Sequence, residues 1–181
     1  MRNFFLSVLV IIALGITYFR LDRQLFYYGK NDLEIHSLLP MNIKPVYRPE
    51  FEGGFAIEDE YDFGIVFKGS VRYTNSKVDL NIKDILNYCF DEDKIVVSVV
   101  DENNINKYVE ISPNKDPTIM QNMLIYVWSD WEKVELKDYK CVAVSDSDRI
   151  EMLHSWIKLI FISFCFLLIY RFLRPFWSRK S

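Results

Sequence analysis

An uncharged apolar run near the start of the chain predicts a long first helix. The run extends from Phe4 to Phe19, and apolar positions at helical spacing continue until residues 29–32, which are expected to end the helix. Sixteen helical residues span about 24 Å, so Arg2 and Arg20 would have to extend to the interfaces for the helix to cross a bilayer. A signal peptide cleaved within residues 13–15 is the alternative; the apolar run continues past that site, which favours a retained anchor.

A second uncharged run, Leu159–Tyr170, predicts another membrane helix near the other end. It follows an amphipathic stretch, and Asp148 and Glu151 stand at capping-box spacing, so the helix is expected to begin near Arg149. The alternative is a helix lying on the membrane surface, but the charges cluster at the ends of the run, which favours a span over about residues 156–175. The expected interfacial anchors of this span are Trp156, Lys158, Arg171, Arg174 and Trp177.

The charge distribution divides the chain into parts of opposite sign. Residues 1–23 carry a net charge of +2, residues 24–148 carry 13 basic and 23 acidic side chains and a net charge of −10, and residues 149–181 carry +5. We therefore predict a transmembrane helix in residues 1–23, one domain in residues 24–148, a second transmembrane helix in residues 149–175 and a basic tail in residues 176–181.

Orientation follows from the basic residues next to the two spans. Placing both termini in the cytoplasm leaves five basic residues inside and four outside. The acidic middle would also be repelled by an anionic cytoplasmic leaflet. We expect a two-pass protein of the bacterial inner membrane, with membrane lipid around its helices and a periplasmic central domain.

Alternating apolar and polar positions predict an α+β domain with a predominantly antiparallel sheet of five to seven strands. Alternation over residues 61–74 predicts one strand, with Gly69 as a bulge. Residues 95–111 predict a hairpin that turns at residues 101–104, and Leu124–Trp128 and Tyr139–Val144 predict two further strands.

Other segments of the domain are less regular. A capping box at Asn31 and Glu34 predicts a short helix ending near Pro40, and residues 40–54 predict an extended connection. Residues 78–82 are consistent with a hairpin strand, whereas residues 81–90 also show helical spacing; residues 118–121 are consistent with the start of a helix.

Motifs for common catalytic and cofactor sites are missing from the sequence. Its two histidines, His36 and His154, lie far apart with no neighbouring ligand set, so we expect no zinc site and no histidine-based triad, and His154 is predicted to be an interfacial residue. Phosphate-binding loops and nucleophile elbows are absent as well. We therefore expect no catalysis, no cofactor and no nucleic-acid partner.

Cysteines offer one candidate cross-link. Cys89 and Cys141 are the two cysteines of the central domain, and Cys165 falls in the second apolar run. In an oxidising compartment the first two can form a disulfide, closing a loop of about fifty residues and adding about 3–4 kcal/mol of stability. Two separate buried thiols are the alternative.

Two acidic clusters and two tryptophans are the remaining candidates for binding. One cluster comprises Glu58, Asp59, Glu60 and Asp62, and the other covers residues 91–93. Both are expected in solvated turns; cation binding and paired-carboxylate chemistry are the alternatives, and steering of a basic partner surface is the simplest specific role. Trp128 and Trp131 are expected in the core, or at an interface if they are exposed.

These features predict a binding protein: a membrane-anchored extracytoplasmic domain that holds or neutralises a protein partner. The layout is similar to that of small two-span immunity or accessory proteins of bacterial envelopes, and this resemblance extends to layout alone. The alternative is a structural or sensory subunit of a larger membrane complex, whose function would depend on the identity of its membrane helices.

Overall fold

The chain is α+β, with two long apolar helices flanking antiparallel sheets. The computed structural model describes residues 2–33, 35–48, 54–71, 80–115, 123–134 and 136–177. Its helices are α1 (Arg2–Leu25) and α2 (Asp148–Trp177). The strands are β1 (Lys44–Arg48), β2 (Gly54–Glu58), β3 (Gly64–Phe67), β4 (Ser70–Val71), β5 (Ile82–Phe90), β6 (Ile95–Asp101), β7 (Asn106–Pro113), β8 (Met123–Trp128) and β9 (Lys140–Ala143). Short 3-10 turns cover Phe26–Tyr28, Pro40–Asn42, Trp131–Lys133 and Val144–Ser147.

The strands form two antiparallel sheets rather than the one that was predicted. The smaller sheet has the order β1-β2-β3-β4, and the larger has the order β8-β7-β6-β5-β9. Because β9 pairs with β5 at the edge opposite β8, the chain returns across the sheet before it enters α2.

Both sheets and the end of α1 contribute to one hydrophobic core. Phe55 of β2 stacks on Tyr88 of β5 with ring centroids 5.9 Å apart, and Phe26, directly after α1, is buried in the same cluster. The Tyr88 hydroxyl donates a hydrogen bond to the Tyr27 carbonyl at 2.6 Å. The first helix is therefore continuous with the folded domain, since the 3-10 turn that directly follows it is part of the domain core.

The predicted single strand over residues 61–74 is wrong. Phe67 pairs with Ser70, so the chain reverses at Lys68 and Gly69, and β3 and β4 form a tight hairpin. Gly69 has φ +96°, which glycine adopts without a steric penalty. Gly69 is therefore a turn residue rather than a bulge, and residues 72–74 of the predicted strand lie outside the described residues.

Two further expectations about the domain are wrong. Residues 32–33 and Leu39 form bends and residues 35–38 have no regular structure, so the predicted helix before Pro40 is absent from the residues described there. The connection predicted over residues 40–54 contains strand β1, and Pro45 is accommodated because β1 lies at an edge of the smaller sheet.

Residues 82–90 form a strand, which settles the choice between strand and helix. The register of β5 shifts twice against β6, between Ile82 and Asp84 and between Ile85 and Asn87. These irregularities place buried side chains three residues apart, at positions 82, 85 and 88, which imitates helical spacing. Of the strand predicted over residues 78–82, residues 78 and 79 lie outside the described residues, Leu80 and Asn81 have no regular structure, and Ile82 begins β5. The helix predicted at residues 118–121 lies outside the described residues.

The remaining predicted elements are confirmed within one or two residues. The predicted hairpin corresponds to β6 and β7, and the two later strands correspond to β8 and β9. Helix α1 ends at Leu25 and continues as a 3-10 turn to Tyr28, where Gly29 at φ +67° ends it. Helix α2 begins at Asp148, one residue before the predicted start.

The two helices pack against each other in opposite directions. Gly15 of α1 lies beside Phe161 of α2, and Tyr18, one turn later, stacks on His154, which is nearly two turns earlier in α2. Each helix is long and apolar enough to cross a membrane. In the apolar 18-residue stretch of each helix, only 6% is buried in the structure. The pairing places the first residue of α1, Arg2, and the last residue of α2, Trp177, at the end of the helix pair that is remote from the domain.

Candidate functional site

A cluster of polar side chains lies where the two helices meet the domain. It is built from three segments: the last two turns of α1, the loop of residues 29–33 that leads into the domain, and the first three turns of α2. We call this group of side chains the junction cluster, and its members are Tyr18, Asp22, Lys30, Asp32, Glu151, His154 and Lys158.

Gly29 turns the loop back along α1. Its carbonyl accepts a hydrogen bond from the Tyr47 backbone N–H at 3.1 Å, and a Cβ at position 29 would lie 2.5 Å from the backbone of Val46 and Tyr47. The Lys30 N–H donates to the Leu25 carbonyl at 3.1 Å, which completes the reversal at the end of the helix. Residues 30–33 consequently run beside the last turns of α1.

Asp22 is fully buried, and its carboxylate holds the returning loop. Oδ1 accepts a hydrogen bond from the Asp32 backbone N–H at 2.7 Å, and Oδ2 accepts one from the Leu33 N–H at 3.2 Å. A buried carboxylate is expensive unless such donors or an opposite charge compensate it. Among the ion pairs of the described residues, His154 is the one titratable partner of Asp22.

His154 brings α2 into the cluster. It is only 4% exposed, Tyr18 stacks on its ring with centroids 4.7 Å apart, and its Nε2 lies 3.3 Å from Asp22 Oδ1 and 4.0 Å from Asp32 Oδ2. These are ion-pair distances, but Nε2 has no hydrogen-bond partner among the described residues. The expectation that His154 is an interfacial side chain is therefore replaced by a buried imidazole aimed at two carboxylates.

Two lysines complete the cluster. Lys158 of α2 donates to Asp32 Oδ2, which also accepts a hydrogen bond from the Tyr18 hydroxyl at 3.0 Å. The hydrogen bond from Lys158 lowers the pKa of Asp32 below its usual value, although partial burial opposes this. Lys30 binds Glu151 at 2.7 Å and the Ser147 hydroxyl at 2.9 Å. Two lysine ion pairs, Lys158–Asp32 and Lys30–Glu151, thus join helix α2 to the loop.

The junction cluster has the donor set of a proton or metal site. Asp22, Asp32 and His154 can each offer one ligand atom, and these three atoms lie within 4.8 Å of one another. Sequence reasoning missed this group because its members are far apart along the chain. One signal was available: Asp22 is an acidic residue directly after an apolar run, where an ionisable side chain is costly unless it has a role.

The first acidic cluster lies around a turn between β2 and β3. Asp59 Oδ1 accepts hydrogen bonds from the backbone N–H groups of Tyr61 and Phe63, both at 2.9 Å, so its carboxylate is used within the turn. We call residues 59–63 the aromatic turn, because Tyr61 is 68% exposed and Phe63 is 54% exposed. These two side chains escaped notice in the sequence because the predicted strand assigned them to the buried face.

The other carboxylates of this cluster also have internal partners. Glu58 is buried and accepts a hydrogen bond from Arg48 at 3.0 Å; burial raises the pKa of Glu58 even though Arg48 opposes it. Glu60 accepts one from the Asn42 amide at 3.2 Å. Lys44 pairs with Asp62 and lowers the pKa of that carboxyl. The cluster thus fixes the turn and places acidic side chains beside two exposed rings.

The second acidic cluster is also tied into its own turn. Asp91 accepts hydrogen bonds from the backbone N–H groups of Asp93, Lys94 and Lys137, at 2.7–3.2 Å. Burial would raise the pKa of Asp91, but these donors hold it below its usual value. The carboxylate is therefore occupied as the acceptor of a structural turn.

Both tryptophans singled out in the sequence are half-buried. Trp128 Nε1 donates to Glu110 Oε2 at 2.9 Å, and its ring stacks on Tyr126. Trp131 packs edge-to-face against Tyr108 and Tyr139. The two indoles therefore belong to the edge of the larger sheet, outside the main core.

Cys89 and Cys141 face each other on the neighbouring strands β5 and β9 and form a disulfide. Cys165 is free in α2.

The predicted membrane anchors have varied positions. Arg20, Trp156 and Arg171 are exposed along the helices, and Lys158 is held by Asp32 of the junction cluster. The side chains of Arg2, Arg174 and Trp177 are outside the described part of the chain.

Comparison of the chain with protein-family models, with curated proteins and with solved structures finds no match.

Proposed function

We propose that the protein is a two-pass membrane protein whose β domain lies outside the cytoplasm and binds a protein partner, without catalysis. The two apolar helices support the membrane location, and their opposite directions agree with a hairpin that crosses the bilayer twice. The disulfide between Cys89 and Cys141 agrees with an oxidising compartment such as the bacterial periplasm.

The exposure of Tyr61 and Phe63 carries the binding part of this proposal. Large aromatic side chains are frequent anchors of protein interfaces, because they bury much surface at a low cost in conformational entropy. Hydrogen bonds from their own backbone to Asp59 hold the turn in shape before any partner arrives. A rigid, exposed aromatic pair is therefore a ready-made contact surface.

The charge around the aromatic turn indicates the kind of partner. Lys44 pairs with Asp62 and Arg48 pairs with Glu58, and the turn carries four acidic side chains within five residues, Glu58, Asp59, Glu60 and Asp62. A basic surface next to an apolar pocket would complement this turn, and long-range attraction would raise the association rate. Holding or neutralising such a partner is the immunity-type or accessory role.

Photo-crosslinking in living cells tests this proposal. A crosslinking amino acid is placed at Tyr61 or Phe63, and as a matched control at Ile105, an apolar residue that is 51% exposed between β6 and β7. We expect positions 61 and 63 to give the same discrete adduct and position 105 to give none. Absence of an adduct at both turn positions, or the same adduct at all three, would contradict the proposal.

A sensory or structural subunit is the second candidate, and the junction cluster favours it. Two ion pairs, Lys158–Asp32 and Lys30–Glu151, fasten the loop that leads into the domain to α2. The buried Asp22–His154 pair joins α1 to α2, so relative movement of the helices would be passed to the domain. Replacing residues 4–17 and 159–170 with unrelated apolar sequence distinguishes the two. A binding protein keeps its function after this exchange, whereas a subunit that works through its spans loses it.

A further inference from the structure

We propose that Asp22, Asp32 and His154 form a binding site for one divalent transition-metal ion, of the Zn²⁺ type, at the junction between the helices and the domain. This site is separate from the aromatic turn and does not depend on the partner-binding proposal.

His154 has a buried ring nitrogen without a hydrogen-bond partner among the described residues. This nitrogen, Nε2, faces two carboxylates. In a neutral imidazole with a proton on Nδ1, the Nε2 lone pair would point at negative oxygen atoms 3.3 and 4.0 Å away, which is repulsive. A positive centre among the three groups removes that repulsion.

The distances between the donor atoms are close to those expected around one Zn²⁺ ion. Zn²⁺ binds imidazole nitrogen and carboxylate oxygen at about 2.0–2.2 Å, so a nitrogen–oxygen separation of 3.3 Å corresponds to an angle of about 100° at the metal. This angle suits tetrahedral coordination. The separation of 4.0 Å to Asp32 would have to shorten by about half an ångström to reach a similar angle.

The types of donor atom favour Zn²⁺ over Mg²⁺ and Ca²⁺. One imidazole nitrogen with two carboxylate oxygens is a mixed donor set that suits Zn²⁺ and its neighbours in the transition series. Mg²⁺ and Ca²⁺ prefer oxygen ligands throughout and gain little from His154. Three protein ligands leave the remaining coordination position to water.

The Lys158 ammonium competes with the metal ion for the carboxylate of Asp32. Its ammonium sits on Asp32 Oδ2, the oxygen that faces His154, so it must withdraw before Asp32 can bind a metal ion. Both partners of this ion pair are partly exposed, at 46% and 38% of their side-chain area, so the ammonium can move into solvent. Metal binding would then exchange one cation for another at the same carboxylate.

The consequence for the protein is a metal-dependent fastening of its parts. Asp22 belongs to α1, Asp32 to the loop that leads into the domain, and His154 to α2. A single ion bound to all three would cross-link both helices to the domain entrance. Ion binding to the folded state would also raise the unfolding temperature.

Equilibrium dialysis with Zn²⁺ tests the site on full-length protein, purified in detergent with a tag that contains no histidine. All variants carry Cys165→Ala, which removes the free thiol. We expect one bound Zn²⁺ per chain, a rise in Tm with Zn²⁺ but little with Mg²⁺, and a visible d–d absorption band when Co²⁺ replaces Zn²⁺.

Variants separate this site from adventitious binding. His154→Ala is expected to weaken Zn²⁺ binding by more than about 100-fold, since loss of an outer-shell partner alone costs up to about that factor. His36→Ala, which removes the other, exposed histidine, should leave binding unchanged. Lys158→Gln should raise the affinity roughly fivefold, the factor equivalent to an exposed ion pair.

Lys158→Gln tests the site even if His154→Ala does not fold, because it is expected to bind Zn²⁺ more tightly while all three ligands remain. The proposal is overturned if the folded protein binds no stoichiometric Zn²⁺, if His154→Ala folds and binds Zn²⁺ as tightly as the parent, or if Lys158→Gln leaves the affinity unchanged. Absence of Zn²⁺ binding would mean that the cluster holds only a proton.

Discussion

A side chain at position 29 would collide with the backbone of β1. Gly29 combines φ +67° with a close approach to Val46 and Tyr47, and the loop that carries Asp32 back to Asp22 depends on this contact. Gly69 also has a positive φ, of +96°, but a Cβ there would meet nothing within 4 Å. A side chain at Gly69 would meet backbone strain alone, whereas a side chain at Gly29 would meet the same strain and a steric clash.

Gly29→Ala is expected to lower the free energy of unfolding by at least about 3 kcal/mol, because it adds a clash to the strain of a left-handed residue. Gly69→Ala is the matched control and should cost about 1 kcal/mol, the strain alone. Urea unfolding followed by circular dichroism measures both. Equal losses for the two variants would show that the contact between Gly29 and β1 is unimportant.

Elements were predictable where local pattern and tertiary environment agree. The hairpin of β6 and β7 was found because its apolar run is interrupted by one clear turn, held by Asp101, whose carboxylate accepts hydrogen bonds from the Asn103 and Ile105 N–H groups. Alternation failed over residues 61–74 because Gly69 reverses the chain. It failed in β5 because two register shifts change the spacing of buried positions.

The candidate site was less predictable than the fold, for a different reason. Asp22, Asp32 and His154 become neighbours through the loop at Gly29 and the packing of α1 on α2. Spacing along the chain carries no information about either contact. The acidic residues around the aromatic turn were noticed in the sequence, but which of them are used internally depends on pairing with β1, as in Lys44–Asp62 and Arg48–Glu58.

The disulfide joins β5 to β9, the strand that leads into α2, and closes a segment of 52 residues. Cys89→Ala with Cys141→Ala is expected to lower the free energy of unfolding by about 4 kcal/mol, because the unfolded chain regains the entropy of the open loop. Thermal or urea unfolding of the detergent-solubilised protein measures this loss. Cys165→Ala is the control and should change stability little; an equal loss in both variants would contradict a cross-link in the domain.

At the scale of the whole molecule, a pair of apolar helices is joined to an acidic β domain. Residues 24–148 carry a net charge of −10, whereas both terminal segments are basic. The junction cluster lies between them and joins the helices to the domain by ion pairs. The proposed function links anchoring, compartment and partner binding, since under it the aromatic turn would meet a periplasmic partner only if the helices hold the domain outside the cytoplasm.

Labelling of single cysteines with a membrane-impermeant maleimide tests this arrangement most directly. In a Cys165→Ala background, one variant carries Asn103→Cys in the exposed turn between β6 and β7, and the other carries Ser181→Cys at the end of the sequence. We predict that intact spheroplasts label position 103 and that position 181 is labelled only after lysis. Labelling of position 181 alone in intact spheroplasts, or recovery of the full-length protein in the supernatant after ultracentrifugation, would contradict the account.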